Sequence, residues 1–307
     1  MRDALRRWFD NESGLIDSHD GEDTVDWLRI VPFLMLHAGA LAALWVGASP
    51  IAIGVAVAAY VVRMFAITAF YHRYFSHRSF RTSRTMQFVG ALIGAAATQR
   101  GPLWWAGVHR LHHRSADRDG DPHAPREGLM RAHLGWFLTR GRFAVDPRLT
   151  VDWRRYRELV WLDRYDAAVP VAMASAMYAL GAALERYAPS LGTNGPQMLA
   201  WGYCVSTVVL THATCCVNSI AHRFGTRRYA TRDASRNNRW LALATLGEGW
   251  HNNHHRYAGA ARQGFFPGET DATHGLLRLL EKLGLVWDLR DVPANVLAEG
   301  RKGGALQ

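Results

Sequence analysis

The chain of 307 residues is 49% hydrophobic and carries a formal net charge of +10, and its mean hydropathy of −0.12 resembles that of a soluble basic protein. Residues 30–62 and 187–222, however, contain no Asp, Glu, Lys or Arg, and two charge-free stretches of this length exclude an ordinary soluble α/β enzyme. The cationic residues, almost all Arg, are spread over every polar segment, whereas a nucleic-acid binder gathers them with aromatic residues on one patch. No nucleic-acid partner is therefore expected.

In chain order, the N-terminal residues 1–26 are charged and rich in Asp and Glu, which argues against a cleavable signal peptide. Two predicted membrane hairpins follow. About 20 apolar residues span a bilayer as a helix, so the first charge-free stretch holds two spans if the chain turns at Gly47–Pro50. Arg63 then lies within the second span and must face protein or reach the interface. The four predicted spans cover residues 30–46, 51–70, 167–184 and 199–220.

Two hairpins place all the long polar segments on one side of the membrane, namely residues 1–29, 71–166 and 221–307. The middle segment carries 17 Arg, while the connections on the opposite side carry only Arg186. Cytoplasmic segments are the ones enriched in Lys and Arg. We therefore predict a single-domain, all-α, multi-pass membrane protein with both termini and a helical cap in the cytoplasm. The charge-free stretch Thr85–Gln99 is too short for a span and is predicted to be a buried or interfacial helix.

Histidine is the main chemical signal, because nine of the 15 His fall into four short clusters on the predicted cytoplasmic side. Residues three and four apart share a helix face, so each H-x-x-H-H group is expected to aim three imidazoles at one point. His72 and His77 are about 140° apart on an α-helix, so their segment is expected to fray or bend. The clusters are His72 and His77 in HRYFSH; His109, His112 and His113 in HRLHH; His222 in NSIAHRFG; and His251, His254 and His255 in HNNHH.

Imidazole-rich sites suit borderline metals such as Fe, Zn, Cu and Ni. Nine imidazoles exceed what one ion takes, so the clusters predict two metal ions, and a pair of irons can share the electrons needed to split O2. The histidines outside the clusters are interpreted as surface or core residues. Examples of these isolated positions are His19, His37, His133, His212 and His274.

These segments resemble those of the membrane fatty acyl desaturases, specifically the bacterial form of the acyl-CoA Δ9 (stearoyl-CoA) desaturase branch. The resemblance runs from about Trp27 to Pro293 and includes GEGWHNNHH, NSIAHRFG and GLVWDLR. It implies a non-haem di-iron enzyme (Fe2+/Fe3+) of the bacterial inner membrane that inserts a cis double bond, at Δ9, into a saturated fatty acyl-CoA. O2 and two electrons from a separate donor are consumed, the donor being a ferredoxin, a cytochrome b5-type protein or a reductase.

The resemblance also assigns roles to individual residues. It implies that the nine clustered histidines bind iron and that Asn218 reaches one iron through a water. Trp105 is expected beside the bound acyl-CoA, and Arg140 near the CoA phosphates. Animal members carry a Trp at the position of Cys215 and a basic residue at the position of Gly107, so not all of their CoA contacts are present in this chain.

Three other functions remain open from the sequence. A desaturase acting on lipid-bound chains has the same motifs, and a histidine-box hydroxylase or ketolase is a relative that usually lacks the N-x-x-A-H segment. A metal transporter needs polar ligands along the bilayer midplane, whereas the clusters lie at one boundary. Several arginines form a cytoplasmic face that fits an acidic electron donor, CoA phosphates or anionic lipid headgroups. They are Arg223, Arg227, Arg228, Arg232, Arg236 and Arg239.

Overall fold

A computed structural model of the protein describes residues 8–11, 24–139 and 145–303. The described chain is mostly helical. Its α-helices are α1 Trp27–Leu41, α2 Ala43–Val46, α3 Pro50–Phe65, α4 Arg84–Ala95, α5 Pro102–Ser115, α6 Leu129–His133, α7 Arg157–Arg164, α8 Ala168–Tyr187, α9 Gly195–Met198, α10 Ser206–Ser219, α11 Arg239–Ala244, α12 His251–Arg256, α13 Ala272–Lys282 and α14 Ala294–Gly303.

Shorter elements connect these helices. Two antiparallel strands, β1 Arg81–Thr82 and β2 Val286–Trp287, pair Arg81 with Trp287 and Thr82 with Val286. Two π-helices, Ala66–Ser76 and Leu199–Val205, continue α3 and precede α10. The 3-10 turns are Pro125–Glu127, Gly135–Leu138, Pro147–Thr150 and Pro189–Leu191.

Three helices in the described chain are long and apolar enough to cross a membrane: Pro50–Ser76, Ala168–Tyr187 and Gly195–Ser219. They coincide with the predicted second, third and fourth spans. The predicted first span falls on α1 and α2, and the apolar helical stretch there, Ile30–Val46, is shorter than the other three.

Local contacts explain where α3 begins and how its buried arginine is accommodated. Ser49 accepts a hydrogen bond from the Ala52 N–H at the start of α3, with Pro50 at the first helical position, a favourable cap because the first helical N–H groups lack helical partners. The Arg63 side chain is 2% exposed, so it faces protein, as expected. Its guanidinium donates to two backbone carbonyls and to the hydroxyls of Ser206 and Thr207 on α10.

The segment with the first two histidines differs from the sequence expectation. HRYFSH does not fray, because α3 passes directly into the π-helix Ala66–Ser76. Hydrogen bonds in a π-helix join residues five apart, so the five-residue spacing places His72 and His77 on the same side. Their ring centroids lie 5.0 Å apart.

The π-helix is also the centre of the core. It is buried throughout, and α4, which occupies the apolar stretch predicted to be a buried or interfacial helix, packs against it. Gly90 and Gly94 make this packing possible, because a Cβ at either position would lie 2.2 Å from the ring of Phe70 or Tyr71, respectively.

Candidate metal centre

Five imidazoles converge, one of them from the buried π-helix, and their ligand atoms all lie within 4.8 Å of one another. Their Nε2 atoms follow one another at short range. The separations are His77–His109 2.8 Å, His109–His113 3.0 Å, His113–His254 2.9 Å and His254–His72 3.0 Å. We call these residues the five-histidine cluster.

The other four predicted ligands form a second group, the four-histidine cluster, of His112, His222, His251 and His255. The Nε2 atoms of His222 and His251 are 3.0 Å apart, and those of His112 and His255 are 3.4 Å apart. All nine clustered histidines of the sequence are thus brought together, in groups of five and four.

The division corrects the expectation that each H-x-x-H-H group aims at one point. On α5, His109 and His113 enter the five-histidine cluster and His112 enters the other. On α12, His251 and His255 stay together while His254 joins the five-histidine cluster. In both helices the pair four residues apart shares a cluster, and the remaining histidine faces the neighbouring one.

Carboxylates hold four of the nine imidazoles by the nitrogen that faces away from the cluster centre. An imidazole that donates its Nδ1–H to a carboxylate keeps its lone pair on Nε2, as a metal ligand must. The pairs are His72 with Glu248, His112 with Asp121 at 3.0 Å, His222 with Asp117 at 3.1 Å and His255 with Asp233 at 2.9 Å.

Burial keeps most of these imidazoles neutral. It lowers the pKa of His77, His109, His113, His251 and His254 well below the ordinary histidine value, with further lowering from neighbouring imidazoles. Burial likewise lowers the pKa of His255 to about 4. For the Asp117 and Asp121 carboxyls burial alone would raise the pKa, but the hydrogen bonds from His222 and His112, respectively, lower it overall.

The two clusters fit metal ions. Two imidazole nitrogens bound at right angles to one ion at about 2.1 Å stand about 3.0 Å apart, which matches the 2.8–3.0 Å spacing in the five-histidine cluster. In the four-histidine cluster, His112 and His255 both donate Nδ1–H to aspartates, so their Nε2 lone pairs face each other at 3.4 Å. A cation between them turns this repulsion into ligation.

Comparison with known proteins identifies the family. The model of the fatty acid desaturase family matches residues 48–264. The chain belongs to the fatty acid desaturase family. The sn-1 stearoyl-lipid 9-desaturase of Anabaena variabilis is 35% identical over 269 residues, covering 87% of this chain and 94% of that protein. The sn-2 palmitoyl-lipid 9-desaturase of Nostoc sp. (strain 36) is 36% identical, covering 89% and 93%.

The chain is also similar to a desaturase that is named for acyl chains bound to CoA rather than to lipid. The acyl-CoA 5-desaturase of Anemone leveillei is 34% identical over 244 residues, covering 77% of this chain and 70% of that protein. The chain is therefore an oxidoreductase of lipid metabolism, of a family that depends on iron, and its histidine clusters can hold a metal.

Three further residues were predicted at the desaturase site. Trp105 stacks on His109 with ring centroids 5.2 Å apart, and its Nε1–H donates to Gln99 Oε1 at 3.4 Å. Asn218 is half-buried in the last turn of α10 and makes no side-chain hydrogen bond to any described residue. His222 follows in the turn beyond α10 rather than on the helix. The prediction for Arg140 lies outside the described residues.

Sequence reasoning missed the carboxylates and a further histidine. Glu248 lies three residues before His251 of HNNHH, but Asp117, Asp121 and Asp233 follow no spacing rule that singles them out. His123 lies with its ring centroid 4.3 Å from that of His112 and joins it and Asp121 in a third group of adjacent ligand atoms.

Three histidines interpreted as isolated are in fact joined. His37 Nε2 lies 3.1 Å from His212 Nε2, and His212 Nδ1 lies 3.0 Å from His133 Nε2. His37 Nδ1 is 2.8 Å from the Phe33 carbonyl and must donate to it, so with neutral rings His212 donates to His37 and His133 donates to His212. The chain of hydrogen bonds connects α1, α10 and α6. Only folding brings these residues together, because they are separated by more than 70 positions.

Proposed function

We propose that this desaturase inserts a cis double bond at Δ9 into saturated acyl chains. One O2, one –CH2–CH2– unit, two electrons from a separate donor and two protons give one –CH=CH– unit and two waters. The observation that carries the proposal is the convergence of nine imidazoles into two clusters, which supports two iron ions held by the five- and four-histidine clusters, with Asn218 reaching one of them through a water.

The protein side chains bind the iron and the acyl chain and orient them. Bound iron supplies the oxidising power needed to remove hydrogen from an unactivated methylene. Glu248 and the three aspartates fix the imidazole orientations, and such outer hydrogen bonds set ligand basicity. Trp105, stacked on His109, provides an apolar wall for the acyl chain and excludes water from the reacting carbons.

The lipid-bound chain is the carrier we favour. Gly107 is buried, and a Cβ there would lie 2.4 Å from Val145 Cγ1, so the basic side chain that animal acyl-CoA desaturases carry does not fit. Cys215 replaces their Trp, and the relatives from Anabaena variabilis and Nostoc act on lipid-bound chains by name. Acyl-CoA is the second candidate, supported by the acyl-CoA 5-desaturase and the motif resemblance.

For the membrane arrangement we propose four spans in two hairpins within a single domain. The apolar stretch Ile30–Val46 supplies the first span. The Arg-rich side then faces the cytoplasm of a bacterial cell, with both termini and the metal centre on that side. A soluble or membrane-bound electron donor reaches the centre from there.

The test is expression in a host that lacks Δ9 desaturation, with double-bond position assigned by gas chromatography. We expect cis-Δ9 products only with O2 and a reductant, none from His254→Ala, and wild-type amounts from the matched variant His274→Ala, whose imidazole belongs to neither cluster. Wild-type product from His254→Ala, or product without O2, would refute the proposal. Membranes supplied with labelled stearoyl-CoA or with labelled stearoyl phospholipid distinguish the two carriers.

A further inference from the structure

The carboxylates of the four-histidine cluster form one connected network that reaches the protein surface. The Asp117 N–H donates to Asp121 Oδ2 at 2.8 Å, and the Ala234 N–H donates to Asp117 Oδ2. Asp233, next in the chain to Ala234, accepts from His255. The Asp117 and Asp233 side chains are 17% and 10% exposed. Two ligands of this cluster are thus one hydrogen bond from partly exposed side chains.

The five-histidine cluster is more enclosed on its carboxylate side. Glu248 accepts from Arg73 and from Gln263 and contacts His72. Arg73 in turn donates to Asp271. Glu248, Arg73 and Gln263 are all buried, so this network ends inside the protein.

Three arginines are chain neighbours of residues in the exposed part of the aspartate network. Arg118 follows Asp117, Arg223 follows His222, and Arg232 precedes Asp233 in the chain. All three side chains are exposed, and in residues 24–139 and 145–303 none forms an ion pair or a side-chain hydrogen bond. We call them the arginine patch.

Other arginines of the same region are already engaged. Arg227 donates to the carbonyls of Thr231 and Asp233 and so fixes the loop that carries Arg232. Arg228 pairs with Glu269, and Arg236 donates to the Gly225 carbonyl. Only some of the arginines in the Arg-rich face that the sequence indicated therefore have side chains without a partner among the described residues.

We propose that the arginine patch is the docking site of an acidic one-electron donor protein and that electrons enter through the four-histidine cluster. The inference rests on the proposed function, which requires two electrons per double bond from outside the chain. Each donor molecule would be oxidised by one electron, so two donor molecules would supply the two electrons that one double bond requires. The route runs from Arg232 and Asp233 to His255 and from Arg118 and Asp117 to His222.

Charge explains why the partner is acidic. Unpaired surface cations accelerate the encounter with an anionic protein, and the acceleration falls as salt screens the charges. The Asp121, Asp117 and Asp233 side chains are occupied by His112, His222 and His255. The three arginine side chains are exposed and, in the described chain, unpaired, so they add positive charge to this part of the surface. A donor docked there needs no opening of the buried π-helix.

The experiment uses the iron-loaded, detergent-solubilised full chain and a reduced plant-type ferredoxin, an acidic one-electron carrier. Anaerobic stopped-flow measures the second-order rate constant of ferredoxin oxidation at low and high ionic strength. For the triple variant Arg118→Glu, Arg223→Glu, Arg232→Glu we expect a decrease of about tenfold or more at low ionic strength and a weaker salt dependence. Iron content and the rate with a small neutral reductant should be unchanged.

Arg157→Glu is the matched control, since Arg157 is also exposed and unpaired among the described residues but lies on α7, which contributes no residue to the aspartate network. It should oxidise ferredoxin at the wild-type rate. If the triple variant also oxidises ferredoxin at the wild-type rate at low ionic strength, the docking proposal is wrong. Binding to anionic lipid headgroups is then the remaining role for these arginines. Absence of desaturated product from wild type with the small reductant would instead refute the proposed function, so the two failures are distinguishable.

Discussion

At the scale of single residues, the two clusters differ in the charge around them. Three aspartates hold the four-histidine cluster, and in the described chain no arginine pairs with Asp117, Asp121 or Asp233. The one carboxylate of the five-histidine cluster, Glu248, is paired with Arg73. A cation is therefore stabilised more in the four-histidine cluster, and this cluster should retain its metal longer.

Replacing one of these aspartates tests the difference. Asp233→Asn keeps the shape but removes the negative charge behind His255, and loss of such an outer partner lowers metal affinity about 10- to 100-fold. Metal analysis during dialysis against a chelator should show faster loss of one of the two proposed ions. Asp119→Asn, which touches only Arg126, should behave as wild type, and equal retention by Asp233→Asn would contradict the assignment.

At the scale of helices, close contacts position the histidines. Asp163 on α7 accepts the Trp104 N–H at 2.7 Å in the first turn of α5, the helix with the second histidine box. Gly101 permits this contact, because a Cβ there would lie 2.3 Å from the Asp163 Cα. On the other side of the π-helix, Gly90 and Gly94 let α4 approach Phe70 and Tyr71.

The glycine contacts predict a loss of stability. Gly90→Ala or Gly94→Ala forces a methyl group into a buried aromatic ring, and such overpacking costs about 1–3 kcal/mol. Gly54→Ala is the matched control, because nothing lies within 4 Å of a Cβ on that helical residue, and Ala is the better helix former. Thermal unfolding in detergent should show a lower Tm for the first two variants only. A Tm for Gly90→Ala equal to that of Gly54→Ala would disprove the packing argument.

The Asp163 contact predicts a pH dependence. Burial raises the pKa of the Asp163 carboxyl from 3.8 to about 6, so between about pH 4 and 6 the folded state binds a proton that the unfolded state has released. Stability from this group is then present at low pH and falls by about 1.4 kcal/mol per pH unit as the pH rises through this window. Asp163→Asn should remove this slope from the pH dependence of unfolding. A wild-type slope in the variant would disprove the assignment.

At the scale of the whole molecule, the proposed membrane orientation rests on charge asymmetry. In the proposed arrangement the loop that joins α8 to α9 lies outside the cytoplasm, and α14 lies in the cytoplasm. Ser190→Cys should react with a membrane-impermeant thiol reagent in intact spheroplasts, whereas Ala298→Cys should react only after permeabilisation, both positions being exposed. The natural cysteines are buried or half-buried in the last proposed span, and the labelling of the protein without an added cysteine gives the background signal. Labelling of Ala298→Cys in intact spheroplasts would reverse the orientation.

The sequence by itself determined the membrane class, the position of three long apolar helices and the nine histidines. These are local properties, since hydropathy and box motifs are read within a few residues. It also indicated the family, which the comparisons confirm. The sequence did not determine the carrier of the acyl chain. Gly107 and Cys215 show that two residues of the animal acyl-CoA desaturases are missing, but no residue indicates which carrier is bound instead.

The tertiary structure decided how the histidines divide and what holds them. The partition into five and four depends on a π-helix that brings His72 and His77 together and on which face of α5 and α12 each imidazole occupies. The aspartate network and the chain from His37 to His133 join residues distant in sequence, so no spacing encodes them. Long-range packing alone sets these contacts, because the side chains that meet belong to different helices whose relative placement the hydrophobic core determines.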